Sequence, residues 1–158
     1  MTHQTSPADQ EQKVVRRGTV SWLTHPPEGR ASIEADSFAF HALPVSLPDG
    51  DPFPHEATPG ELLAITHAMF AASALSEALA LAGTPADEIV VEASCTFAGR
   101  VQDRKLSAVD LHVRGRVPGL DSTAFSEAVA AARLQALHSG GARTDLRGEL
   151  RAELYTPA

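Results

Sequence analysis

Apolar and polar residues alternate in short runs towards both ends of the chain and give way to one long apolar block in the middle. From Leu62 to Ala82 the only polar residues are Thr66, His67, Ser73, Ser76 and Glu77, scattered round a helical wheel rather than gathered on one face. The ends of the block are marked. Thr58 and Glu61 have the spacing of a capping box, Pro59 stands at the first helical position, and Gly83 followed by Pro85 supplies a stop. The pattern predicts a central helix from Thr58 to Gly83, buried nearly all round. Its many alanines permit close backbone approach, so it should pack on another helix as well as on a sheet. The length approaches a membrane span, but His67 and Glu77 lie inside it and no basic flank anchors either end, so we read it as a core helix. A chain of 158 residues has little material to surround such a helix, and a second copy is expected to bury the remaining face.

Before this helix, Val14 to Trp22, Gly29 to Ala35 and Phe38 to Val45 read as three strands of an antiparallel meander, with turns at HPPEG and Asp36-Ser37. Pro48 to Ala57, with three prolines, reads as an irregular loop. After it, Glu88 to Phe97 places Ile89, Val91, Ala93, Cys95 and Phe97 on one face. Lys105 to Val117 should return as its hairpin partner across Gly99 to Arg104. Asp121 or Ser122 should cap a second helix that runs to about Leu137, with Phe125, Val129 and Leu134 as its inner stripe. The last strand, Asp145 to Tyr155, turns Leu146, Leu150 and Leu154 inward. Three strands, a long helix, two strands, a shorter helix and one strand predict a single α+β domain over residues 13–158, preceded by a flexible tail over 1–12.

Charge and cysteine content narrow the choice. Acidic residues outnumber basic ones 20 to 13, and the basic ones are dispersed, which argues against nucleic acid or an anionic membrane as partner. The single cysteine, Cys95, excludes an intramolecular disulfide and any cysteine-based metal cluster. Seven histidines offer no H-x-x-x-H or H-E-x-x-H spacing, so neither a metal nor a cofactor is expected. The first dozen residues carry no apolar segment of a secretory signal, which leaves the cytoplasm as the expected compartment.

Two segments carry a likeness. TP-x-E-L-L-A-x-x-H-A, from Thr58 to Ala68, and V-P-G-L-D-S-x-x-F, from Val117 to Phe125, together with the order of elements and the alternating final strand, resemble the OsmC/Ohr family over roughly Val14 to Tyr155. These are the osmotically inducible protein C and organic hydroperoxide resistance proteins of the stress response. The resemblance implies an OsmC-like fold: an intertwined homodimer whose antiparallel sheets wrap round two long central helices. It also implies reduction of organic hydroperoxides by a cysteine in the central helix and a resolving cysteine at the end of the second helix. A Glu in an N-P-E segment and an Arg from the N-terminal strands would hold the thiolate ionised.

Carried over position by position, that machinery is missing. The peroxidatic cysteine falls on Phe70, the resolving cysteine on Ala136 and the catalytic Glu on Gly60. Glu61 is one residue late and serves the capping box, and the arginine falls near Pro27, with Arg30 the nearest candidate. Cys95, on the apolar face of a strand, reads as a buried and inert thiol. Phe70 and Met69 read as core filling or as the lining of a vacated pocket together with Ala136, and His55, His67 and His138 are further candidates for its mouth. The reading is a relative of the thiol-dependent peroxidases that has lost their chemistry and holds a small apolar or peroxide-like ligand at the dimer interface. The alternatives are an active peroxidase using Cys95 and a structural, partner-binding homologue.

Overall fold

A computed structural model describes residues 14–22, 30–46, 55–140 and 145–156. The expected N-terminal tail, the HPPEG turn and most of the 48–57 loop lie outside the described residues.

Among the described residues, two three-stranded sheets are formed. In the first, β1 (Gly18–Trp22), β2 (Arg30–Ala35) and β3 (Leu43–Ser46) are antiparallel neighbours. The third strand is shorter than the alternation suggested, because Phe38 and Ala42 take positive φ of 57° and 52° and residues 36–42 turn instead of pairing. In the second sheet, β4 (Glu88–Ala98) pairs antiparallel with β5 (Lys105–Arg116), and β6 (Leu150–Leu154) joins the far side of β5 in parallel. The parallel pairing is possible because α2 (Ser122–Ser139) provides the crossover.

α1 (Pro59–Leu81) starts as its sequence dictates. The Thr58 hydroxyl accepts from the Glu61 N–H at 3.2 Å, and the Glu61 carboxylate accepts from the Thr58 N–H at 2.7 Å. Gly83 follows at φ +80°. At α2, Asp121 is the cap, accepting from the Ala124 N–H at 2.9 Å. Both helices lie on the second sheet, α1 beside β4 and α2 beside β6, and against each other. The core between them is Leu75 and Leu79 of α1, Val109, Leu111 and Val113 of β5, and Phe125, Val129, Ala132, Ala136 and Leu137 of α2. Phe125 is completely buried because Gly115 leaves it room: a Cβ there would stand 2.6 Å from its ring. Leu134, expected on this stripe, is 57% exposed; nine residues beyond Phe125 at 100° per residue is the opposite side of the helix.

The expectation that α1 is buried nearly all round is not met within one chain. Only His67, Ala71, Ala74, Leu75 and Leu79 are buried, whereas Ile65 is 55% and Met69 67% exposed. Among the described residues, α2 covers one side of the helix and β4 another, and a third side is left uncovered. By length and composition alone this helix would also suffice to cross a membrane. The first sheet connects to this assembly through a parallel bridge between Val45 and Ala57, with the Ser46 N–H donating to the Ala57 carbonyl at 2.9 Å.

Candidate functional site

Phe70 and Ala136, the positions to which the resemblance assigns two cysteines, meet near the end of α2. α2 ends at Gly140, and a Cβ on Gly140 would lie 3.6 Å from both the Phe70 ring and the His67 ring. Ala136, one turn earlier, is buried, and so is His67 at 3% exposure. Burial disfavours the imidazolium and holds the His67 pKa below the usual histidine value. Beside this contact Phe70 is 37% and Met69 67% exposed, and His138, in the last turn of α2, is exposed. Arg30 opens β2 opposite Ser46.

The open space lies nearer the start of the same helix. A groove of about 710 Å³ runs between the first two turns of α1 and β4. One wall is Thr58 to Glu61 with Leu63 and Ala64; the other is Ala93, Ser94, Cys95 and Phe97; Gln102 and Arg104, from the β4–β5 connection, complete the lining. A second hollow of about 530 Å³, lined by Leu43, His55, Ile65, Ala68 and Val91, meets it at Glu61, Ala64 and Ala93. Of the sequence-derived candidates, Gly60, Glu61 and His55 line these cavities; Met69, Phe70, His67, Ala136 and His138 line neither.

Local sequence explains the groove's shape. Small side chains at Ala64 and Ala93 leave its floor empty. Phe97 lies over the helix start because residue 60 is glycine: a Cβ there would stand 3.2 Å from the Phe97 ring. A register shift between Thr96 and Phe97 puts one extra residue, Ser107, into β5. That residue resets the alternation, so that Leu106 pairs with Phe97 as Val109 pairs with Cys95. The Ser107 hydroxyl donates to the Thr96 carbonyl at 3.1 Å across the irregularity.

Two titratable groups line the groove with shifted pKa values. Hydrogen bonds from the Thr58 N–H and then the Thr58 hydroxyl hold the Glu61 carboxyl below its usual range. Burial pushes the Cys95 thiol up, which disfavours the nucleophilic thiolate. The expected buried cysteine is thus corrected to a half-buried one on a cavity wall, and its proton is held rather than released. Sequence reasoning missed Leu63, Ala64, Ala93, Gln102 and Arg104 altogether. Among the described residues, no three His, Cys, Asp or Glu side chains gather as metal ligands would.

No protein-family model matches the sequence, and no curated protein matches it either. Solved structures do. The OsmC-like protein of Mycoplasma pneumoniae superposes with a TM-score of 0.68 at 12% identity, covering 92% of this chain and 100% of that one. An organic hydroperoxide resistance protein of Elizabethkingia anophelis gives 0.64 at 16% identity over 94% of this chain and 100% of its own. The organic hydroperoxide resistance protein OhrB of Bacillus subtilis gives 0.56 at 16% identity, with coverages of 88% and 98%. The chain therefore has the OsmC/Ohr fold, an α+β arrangement of two sheets and two helices.

Proposed function

We propose that this chain is a cytoplasmic OsmC/Ohr-type protein that does not reduce hydroperoxides through a cysteine pair and instead binds a small, largely apolar molecule as a homodimer. The observation that carries the reading is the packing at residues 70 and 136. A phenylalanine ring and a buried methyl group stand where the resemblance requires two thiols, and the nearest turn of α2 closes against them. Neither group can attack a peroxide or resolve a sulfenic acid. The remaining thiol, Cys95, is on a different element, and its surroundings favour the protonated form.

The dimer is supported by two apolar faces left open among the described residues. Ile65 and Met69 project from α1, and Val20, 59% exposed, shares one face of the first sheet with Ile33 and Leu43 by register. A second copy that covers these faces removes from water the apolar surface that one chain leaves exposed. Light scattering on the purified protein should give twice the chain mass, and the Ile65→Asp, Met69→Asp double variant should shift it to one chain mass. A wild-type monomer would contradict the dimer.

The chemical half is tested by incubating the full-length protein with cumene hydroperoxide and a dithiol. No consumption above the protein-free rate is expected. Turnover that survives Cys95→Ser would reveal a non-thiol peroxidase, and turnover lost in that variant would restore the Cys95 reading; either overturns the proposal.

A further inference from the structure

We infer that the hollow at one end of the second sheet, where β5 finishes at Arg116 and β6 at Leu154, is a binding site for a free α-amino acid with an apolar side chain. Arg116 takes the carboxylate, Asp87 the ammonium, and Leu120 and Leu154 the side chain. The inference uses no residue of the groove beside α1, nor Phe70, Ala136 or Cys95, and so stands or falls apart from the reading above. Three observations carry it.

The first is a cation without a carboxylate. Arg114 and Arg116 stand on one face of β5, two residues apart, and Arg114 pairs with Glu92 of β4 at 2.9 Å. Arg116 is directly opposite Glu88 in the register, but the Glu88 carboxylate accepts from the Tyr155 hydroxyl instead. Among the described residues no carboxylate pairs with Arg116, and its Nε is buried without a hydrogen-bond partner. A half-buried guanidinium in that condition is costly until acceptors are supplied to it. The second is a carboxylate facing the same space. The Asp87 N–H donates to the Arg116 carbonyl at 2.8 Å, so the two side chains start close together, and both line the hollow. Their charged ends nevertheless form no ion pair. The third is size and lining. About 430 Å³ falls in the lower part of the range of small-molecule sites, and Val117, Pro118, Leu120 and Leu154 give it an apolar wall.

A simple anion would be repelled by Asp87, and a simple cation by Arg116. A zwitterion satisfies both charges at once. An α-amino acid carries a planar carboxylate that matches the guanidinium fork and an ammonium one carbon away for the carboxylate of Asp87. The apolar wall favours an aliphatic side chain over a polar one.

Tyr155 supplies a reporter, being the one tyrosine of the sequence and part of the lining. The bond to Glu88 raises its pKa while the charge of Arg116 pulls it down, so its ring senses whatever neutralises Arg116. The full-length protein with isotope-labelled tyrosine gives ring resonances from this residue alone, and they are followed by NMR at neutral pH during titration with L-leucine, N-acetylleucine and leucinamide. L-leucine should shift them saturably, with a dissociation constant on the order of 1 mM. N-acetylleucine, which has no ammonium, and leucinamide, which has no carboxylate, should each bind at least about tenfold more weakly. Arg116→Gln should weaken L-leucine at least about tenfold and leave leucinamide unchanged. Asp87→Asn should weaken L-leucine and strengthen N-acetylleucine, whose carboxylate is no longer repelled. The compound series on the wild type needs no substitution and decides the matter even where a variant fails to fold. No shift with L-leucine, which would mean that Arg116 and Asp87 close on each other in solution, would overturn the assignment. So would equal affinity for the three compounds, or a folded Arg116→Gln variant that keeps the wild-type affinity for L-leucine.

Discussion

The two halves of α1 are made of the same alanine-rich, leucine-rich sequence and end in opposite conditions. From Ala71 to Leu79 one side of the helix is sealed against α2, with Phe125, Val129, Ala132 and Ala136 supplying the volume. Between Pro59 and Met69 only His67 is buried, and Leu63 and Ala64 look into an open groove. The difference is where α2 stops. Its last turn reaches His67 and Phe70, so the first turns of α1 have β4 as a neighbour but not α2. The sealed half packs against Ala136, whereas the open half faces Cys95 of β4, the one thiol of the sequence. A few side chains and the length of one helix thus decide which stretch of α1 is sealed and which is open.

Substitutions should separate the two halves by magnitude. Phe125→Ala, which empties the sealed half, should cost about 3–5 kcal/mol of unfolding free energy in a urea titration. Phe97→Ala in the open half should cost about 1 kcal/mol, because the ring is already partly in water. A similar cost for both would mean that the groove is filled in solution.

The next largest effect concerns the clamp that holds α2 on the sheet. Arg133 donates to the Gly148 carbonyl at 3.1 Å and the Val109 carbonyl at 3.2 Å, joining helix, β5 and the approach to β6. Arg133→Met should cost about 1.5–3 kcal/mol, as expected for hydrogen bonds from a charged donor. Thr58→Ala removes the capping box at the open end and should cost about 1 kcal/mol. A helix start held mainly by the groove walls would show less.

The smallest expected effect is a pH dependence at the boundary between the halves. The His67 pKa is lowered by burial, so the folded state binds fewer protons there than the unfolded chain. That contribution to stability is present in full above the unfolded value of about 6.5 and is lost as pH falls below it. Thermal unfolding midpoints should therefore decline towards pH 5 more steeply in the wild type than in His67→Leu. Equal slopes would mean that His67 is solvated in both states.

What could be read from the sequence follows the range of the interactions involved. The ends of α1 and the Asp121 cap were legible because caps depend on residues within one turn of each other. The β4–β5 hairpin was legible because its alternation is strict as far as Cys95. The turn at Phe38 to Ala42 was not, since two non-glycine residues at positive φ leave no mark on a pattern of apolar alternation. Leu134 was misplaced by counting apolar residues without following the helical angle to its end. The groove was invisible because it is made by what is missing: a methyl at Gly60, volume at Ala64 and Ala93, and a helix that stops early. Arg133 and Gln102 stand in no motif, and only tertiary contacts give them a place. The resemblance directed attention to Phe70 and Ala136, the positions it implies for two cysteines, and so away from the half of the helix that is open here.

The central claim is that no thiol in this molecule is poised to react with a peroxide. Its most direct test is a single-turnover one: the reduced protein is mixed with excess cumene hydroperoxide in the presence of dimedone, and Cys95 is followed by intact-protein mass spectrometry. The account predicts an unmodified thiol over a period in which a cysteine peroxidase is fully trapped. Rapid, stoichiometric formation of the dimedone adduct at Cys95 would contradict it, and would move the molecule's chemistry into the groove as catalysis rather than binding.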